Sequence, residues 1–136
     1  MKSLFLFIPA AFILLLFANS CSNPTSIGPV PSNFQLNQNF PNPFTDSTTV
    51  QYGIPSSASG EHIVLQVFDN QRAPVRVLEN SVSHPSGTFQ VSWDGRDASF
   101  QRVPPGVYVI ELRSGSILAI DGGMNGVYGR IMAVRR

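Results

Sequence analysis

The residues best equipped for chemistry stand in the stretch Trp93-Asp94-Gly95-Arg96-Asp97. Two carboxylates flanking a guanidinium have the makings of an acid–base pair or of a calcium loop. A hard cation wants six or more oxygens, and the stretch lacks the D-x-[DN]-x-[DN]-G run with its closing Glu. The residue types fit a turn instead: Asp94-Gly95 reverses the chain, Trp93 fills a core and Arg96 pairs with a neighbour. A second stretch, "IDGGMNGVYG" from Ile120 to Gly129, has the glycines of a phosphate loop. It has neither the Gly-Lys-Ser/Thr nor the following helix that would cradle a phosphate, and reads as a long Gly-rich hairpin. His62 and His84 have no cysteine partner and no second His at ligand spacing. Both read as loop residues flanking strands. No nucleophile stands with a base and an orienting carboxylate. The expectation is a non-enzymatic chain with no catalytic residue, no metal ligand set, no cofactor and no small-molecule ligand that the sequence can name.

One reactive side chain remains, Cys21, the only cysteine. What surrounds it sets its chemistry. Met1-Lys2-Ser3 is a short basic start, Leu4 to Phe17 is an unbroken apolar run, and Ala18-Asn19-Ser20 follows. Charged start, apolar centre and small residues before a cut form the layout of a secretory signal over residues 1–20. The run is shorter than the roughly 18–20 apolar residues that span a bilayer. Ala18 and Ser20 suit an ordinary signal peptidase. The same site resembles a bacterial lipobox, because a small residue precedes Cys21. An odd cysteine in an exported protein calls for an explanation, and a lipid on its sulfur supplies one. Lipidation of Cys21 is therefore expected, with plain secretion as the alternative. Ser22 after the cysteine favours the outer over the inner membrane.

Without residues 1–20 the chain is the size of one small domain. It has also lost Lys2, the only lysine, leaving eight Arg against eight Asp and Glu. No cluster of Arg is dense enough to track phosphates, so nucleic acid is not an expected partner. Charged residues are 12% of the chain, about half the usual share. The surface must then be built from Ser, Asn, Gln and Thr, as suits packing against other envelope components.

The elements follow from periodicity. Residues 21–32 form the lipidated start and a Pro-rich tether, "SNPTSIGPVPS", which would hold the domain about 30 Å off a membrane. Residues 33–136 form the domain. "QNFPNPF" (Gln38–Phe44) cannot be helical, since Pro41 and Pro43 lack donors. Its aromatics, Phe40 and Phe44, are expected to dock. From there period-two alternation dominates. "TTVQYGI" turns Val50, Tyr52 and Ile54 to one face; "HIVLQVF" is apolar on both faces, like a central strand. Val75 to Leu78 follows Pro74 as an edge strand or strand start, and His84-Pro85-Ser86-Gly87 reads as a loop. "GTFQVSW" points Phe89, Val91 and Trp93 inward, and "VYVIEL" points Tyr108, Ile110 and Leu112 inward against Val107, Val109 and Glu111. "RIMAVRR" closes the chain. Short strands separated by turn residues predict an all-β, antiparallel sandwich of about seven strands.

Taken in order, "LNQNFPNPFTDSTTVQYGIP", "VLQVFD", "VRVL", "GTFQVSWDGRD", "PPGVYVIELRSG" and a short basic strand resemble the Ig-like C-terminal domain family. Its members include type IX secretion sorting domains and the Ig-like domain of the flagellar hook-cap protein. The likeness runs from about Phe34 to Arg136 and implies an Ig-like fold in which the N-P-N-P-F segment leads into the first sheet. Phe40 and Phe44 would close one end. Arg72 stands where the family usually has Gly. The stretch from Leu112 to Arg130 is longer than usual, and the chain has a tether where sorting domains have a large passenger. Two functions are therefore expected as alternatives. One is a lipid-anchored envelope module that binds or organises other envelope components. The other is an orphan sorting domain recognised by a type IX secretion machinery through an exposed terminal strand, Arg130 to Arg136.

Overall fold

Alternation of β-branched and aromatic residues produces strands here, and the turn residues between them decide how the strands pair. The structure, a computed structural model, describes residues 24–115 and 127–135. In order these form β1 (Gln35–Leu36), β2 (Thr48–Ile54), β3 (Glu61–Asp69), β4 (Pro74–His84), β5 (Gly87–Trp93), β6 (Gly106–Ser114) and β7 (Val127–Val134), with one 3-10 turn at Ser56–Ala58. They make two antiparallel sheets, β1-β2-β5 and β4-β3-β6-β7. The fold is the expected Ig-like sandwich. Its fourth strand lies beside β3, where constant-type Ig domains place theirs in the opposite sheet.

The core forms where the inward faces meet. Val50, Tyr52, Ile54, Phe89 and Trp93 come from the first sheet; Ile63, Leu65, Val67, Tyr108, Ile110, Leu112, Met132 and Val134 come from the second. The strands "TTVQYGI" and "GTFQVSW" pair along their whole length, from Thr48 opposite Trp93 to Ile54 opposite Gly87. Val91, between the buried Phe89 and Trp93 on β5, is only half-buried and packs against the rim of the core. β4 is much longer than the segment Val75–Leu78 read from the sequence. Register shifts at three places against β3 break its period-two signal, as bulges do.

Two expectations about single residues are corrected. His62 and His84 lie in strands, not in loops. His84 is fully buried at the end of β4, where it packs edge-on against Phe89 at 4.6 Å between ring centres. Phe40 does not dock: it is 80% exposed, whereas Phe44 is buried edge-on against Trp93 at 5.4 Å. The stretch read as a tether also differs in its described part, since Ile27 donates its N–H to the Thr88 carbonyl at 2.7 Å. Cys21, the signal segment 1–20 and residues 120–126 of the Gly-rich hairpin lie outside the described residues.

Candidate interaction surface

The loop that most resembled a reactive site is bonded to itself. Asp94 Oδ1 accepts from the Arg96 N–H at 3.1 Å, and its Oδ2 lies 3.7 Å from Arg96 Nε. Asp97 Oδ1 accepts from the N–H groups of Ser99 (2.9 Å) and Gln101 (3.0 Å), forming an Asx turn. Arg96 donates to the Phe100 carbonyl at 2.8 Å and Trp93 Nε1 to the Arg96 carbonyl at 2.9 Å. Arg76 donates to the Asp97 carbonyl at 2.7 Å and lies over the Phe100 ring at 4.6 Å. The two carboxylates thus each hold a separate piece of backbone and share no bonding partner. Among the described residues no group of three or more His, Cys, Asp or Glu could hold a metal.

Beside this loop opens a groove of about 470 Å³, between the β3–β4 turn and the β5–β6 connection. Asp69, Asp97, Pro104, Pro105 and Tyr108 line it. Asp69 is also occupied locally, accepting from the N–H groups of Gln71 (2.8 Å) and Ala73 (2.9 Å). Tyr108 donates its hydroxyl to the Pro104 carbonyl at 2.7 Å. This is the tyrosine corner of Ig-like sandwiches, in which a Tyr near the start of the sixth strand fixes the connection before it. The sequence placed Tyr108 inward, but its hydroxyl bond depends on where the fold brings the Pro104 carbonyl. The groove is therefore a notch walled in part by prolines, with its acidic groups bonded to backbone.

The terminal strand is the edge of the four-stranded sheet, as the recognition reading requires, yet from Ile131 to Arg135 that edge is covered. Gln38 donates to the Ile131 carbonyl at 2.7 Å, and Asn42 donates to the same carbonyl at 3.3 Å. The Ala133 N–H donates to Asn42 Oδ1 at 2.9 Å, and the Phe44 N–H to the Ala133 carbonyl at 3.0 Å. Arg135 then donates its N–H to the Phe44 carbonyl at 2.8 Å. The same segment, at Phe40, exchanges both backbone bonds with Thr49 of β2 at 2.9 Å. The N-P-N-P-F stretch therefore crosses from one sheet to the other, with both X-Pro bonds, Phe40-Pro41 and Asn42-Pro43, in cis. Covering an edge in this way removes the unpaired groups another strand would need.

Two buried polar clusters were not foreseen from the sequence. Glu111, expected on the outward face, is only 3% exposed. Arg72 reaches it at 2.6 Å and Arg113 at 2.7 Å. Both guanidiniums also flank the Phe68 ring, at 5.7 and 4.8 Å. Arg72 can fold over the sheet because it takes a left-handed backbone, φ 64°, at the place where the resembling family usually has Gly. In the core, His84 Nδ1 lies 2.7 Å from the Pro85 carbonyl, which can only accept, so Nδ1 carries the proton and Nε2 accepts the Tyr52 hydroxyl at 3.1 Å. Burial, and secondarily the charge of Glu79, push the Tyr52 hydroxyl well above the usual tyrosine range.

No protein-family model matches the chain, and no curated protein does either. Among solved structures, dimeric latent PorU from Porphyromonas gingivalis is similar over 76% of this chain, at 19% identity and a TM-score of 0.58. FlgD from P. aeruginosa is similar over 65% of the chain, at 25% identity and a TM-score of 0.47. PorZ, an essential surface component of the type IX secretion system of P. gingivalis, is similar over 76%, at 21% identity and a TM-score of 0.43. The chain spans 9% of PorU, 62% of FlgD and 12% of PorZ. The likeness to PorU is one of fold.

Proposed function

We propose that this chain is a non-catalytic Ig-like module of the bacterial cell envelope, anchored in the outer membrane by lipid on Cys21 after removal of residues 1–20. It acts by binding other envelope components through its surface. The observation that carries the non-catalytic part is the bonding of Asp69, Asp94 and Asp97, each of which accepts from a local backbone N–H. Such carboxylates shape loops. The anchor rests on the sole thiol standing directly behind a signal-like segment, and several acyl chains hold a protein far more firmly than one chain can. The test feeds labelled palmitate to cells making the whole chain and then separates inner from outer membranes. Label in the outer-membrane fraction for wild type, and none for Cys21→Ala, is the expected result. Wild type without label, or Cys21→Ala with it, ends the anchor reading.

A second reading, an orphan type IX sorting domain, is favoured by one observation: β7 is the outermost strand of its sheet. Its test must keep Met132 and Val134, both buried, so outward positions are changed instead. Residues 22–136 fused to a secreted reporter, with or without Arg130→Glu and Ile131→Ser, are compared in a host with the type IX machinery. Surface delivery lost only in the altered, folded copy supports sorting; equal delivery, or none from either, removes it.

A further inference from the structure

The residues after Cys21 are strapped to one end of the sandwich. Ile27 donates to the Thr88 carbonyl at 2.7 Å, Thr88 donates its N–H to Ser26 Oγ at 3.3 Å, and the Thr88 hydroxyl donates to the Pro29 carbonyl at 2.7 Å. The strap lies so close that a Cβ at Gly87 would come within 2.6 Å of Ser26 Oγ, and one at Gly53 within 2.8 Å of Pro31. Residues between Cys21 and Ser26 can reach at most about 18 Å when fully extended. Whatever holds Cys21 therefore lies near the β4–β5 turn.

That end differs in chemistry from the other. Residues 22–36, 54–60 and 80–90, which build this end, carry no charged residue, and the charges nearest to it are Glu61 and Arg113. Ile27 and Val30 on the strap are 50% and 51% exposed, and Val82, near the end of β4, is 80% exposed. Glu61, at the same end, accepts the Ser114 hydroxyl, and His62 bonds Asn80 at 2.7 Å. Asp69, Arg72, Asp94, Arg96, Asp97 and Arg102 belong to the opposite end, where Thr48 pairs with Trp93 and Asp69 with Tyr108.

We propose that the strapped end is a membrane-contacting face, on which Ile27, Val30 and Val82 enter the lipid interface while the charged loops of the opposite end and the groove point away from the bilayer. Aliphatic side chains gain by leaving water at the headgroup–acyl boundary, and Glu61, the carboxylate at this end, already accepts the Ser114 hydroxyl. The occupant is a lipid surface because Cys21 ties this end, and no other, to one. The inference rests on the anchor reading above.

The experiment uses the full chain made in cells, purified from membranes and placed in phosphatidylethanolamine–phosphatidylglycerol vesicles that carry bromine near the top of the acyl chains. Ile27→Trp, Val82→Trp and, at the charged end, Phe100→Trp each add one indole; wild type, whose Trp93 is buried, gives the background. Bromolipid should quench the indoles at positions 27 and 82 and leave that at 100 unchanged. Val82→Trp lies off the strap, so it stands if Ile27→Trp loosens it. Palmitate label on the same preparations separates the two failures. Labelled protein unquenched at 82, or quenched equally at 82 and 100, overturns the orientation alone; unlabelled protein overturns the anchor and the orientation with it.

Discussion

The backbone N–H of Phe44 donates to the carbonyl of Ala133 at 3.0 Å, joining the lead-in of the domain to its last strand. The bond runs in a parallel bridge between Phe44 and Val134, while Phe40, just before, is bonded to β2. A strand that changes sheets partway closes the sandwich along one side. Proline suits the crossing because the bonds a continuous strand would need at Pro41 and Pro43 are not made there.

Asn42 is the polar clasp of that closure. Asn42→Ala removes its bonds to Ile131 and Ala133 and should cost about 1 kcal/mol, since both are solvent-exposed. Hydrogen exchange gives the sharper reading. The Ala133 amide should lose protection while Met132, paired with Tyr108 of β6, keeps it. Unchanged exchange at Ala133 would show that the backbone bonds of Phe44 close the edge alone.

Trp93 joins the same corner from the core side, buried edge-on against Phe44 and Tyr108 at 5.4 and 5.7 Å. Trp93→Ala should cost roughly 3–5 kcal/mol, as large aromatic truncations do, and urea denaturation measures it. Iodide should not quench the native indole. Ready quenching would place Trp93 outside and overturn the packing of β5.

The strands that were legible in the sequence are those whose period-two pattern is unbroken: "TTVQYGI" and "GTFQVSW" begin and end where the pattern does. β4 was legible only over four residues, because its bulges against β3 shift the alternation and Glu79, Asn80 and Ser81 bury little. His84 looked like part of a loop beside Pro85, yet its ring fills a gap between Tyr52 and Phe89. Glu111 sat on the outward side of "VYVIEL", and it is covered by Arg113 and by Arg72, which comes from a turn nearly forty positions earlier. Period reports which face a residue occupies; it cannot report what folds over that face. The same limit governs the candidate surface: the terminal strand is an edge, as its place in the chain suggested, but the segment that covers it lies at the other end of the domain.

Arg72 holds a left-handed backbone that costs an L-residue about 1–2 kcal/mol, and it bonds a buried carboxylate. Arg72→Gly relieves the first and loses the second. Removing one partner of a buried pair is destabilising, moderated here because Arg113 stays on Glu111 and Arg72 is itself mostly exposed. Both Arg72→Gly and Arg72→Ala should be less stable than wild type, with Ala the worse because it keeps the strain. In a Glu111→Gln background, Arg72→Gly should become neutral or stabilising. Urea midpoints decide it: Arg72→Gly at or above wild type with Glu111 intact would show that the ion pair contributes no more than the backbone strain it is held against.

Tyr52 makes stability fall at high pH. Burial, then the nearby charge of Glu79, raises its pKa in the folded protein above the ordinary tyrosine value, so the native state keeps a proton that the unfolded state gives up near pH 10. Above that pH the folded chain binds more protons than the unfolded one. Stability must then decline as pH rises, by up to about 1.4 kcal/mol per unit for this one group. Below about pH 10 both states are protonated and the contribution is fully present. Tyr52→Phe has no proton to lose, and although it forfeits the bond to His84, that loss is the same at every pH. Urea midpoints for the two proteins at pH 8, 10 and 11, each referred to its own value at pH 8, should separate, with wild type falling faster above pH 10. Parallel curves would mean that Tyr52 ionises in the folded protein as readily as in the unfolded chain, and that its hydroxyl is not held by His84 in a dry core.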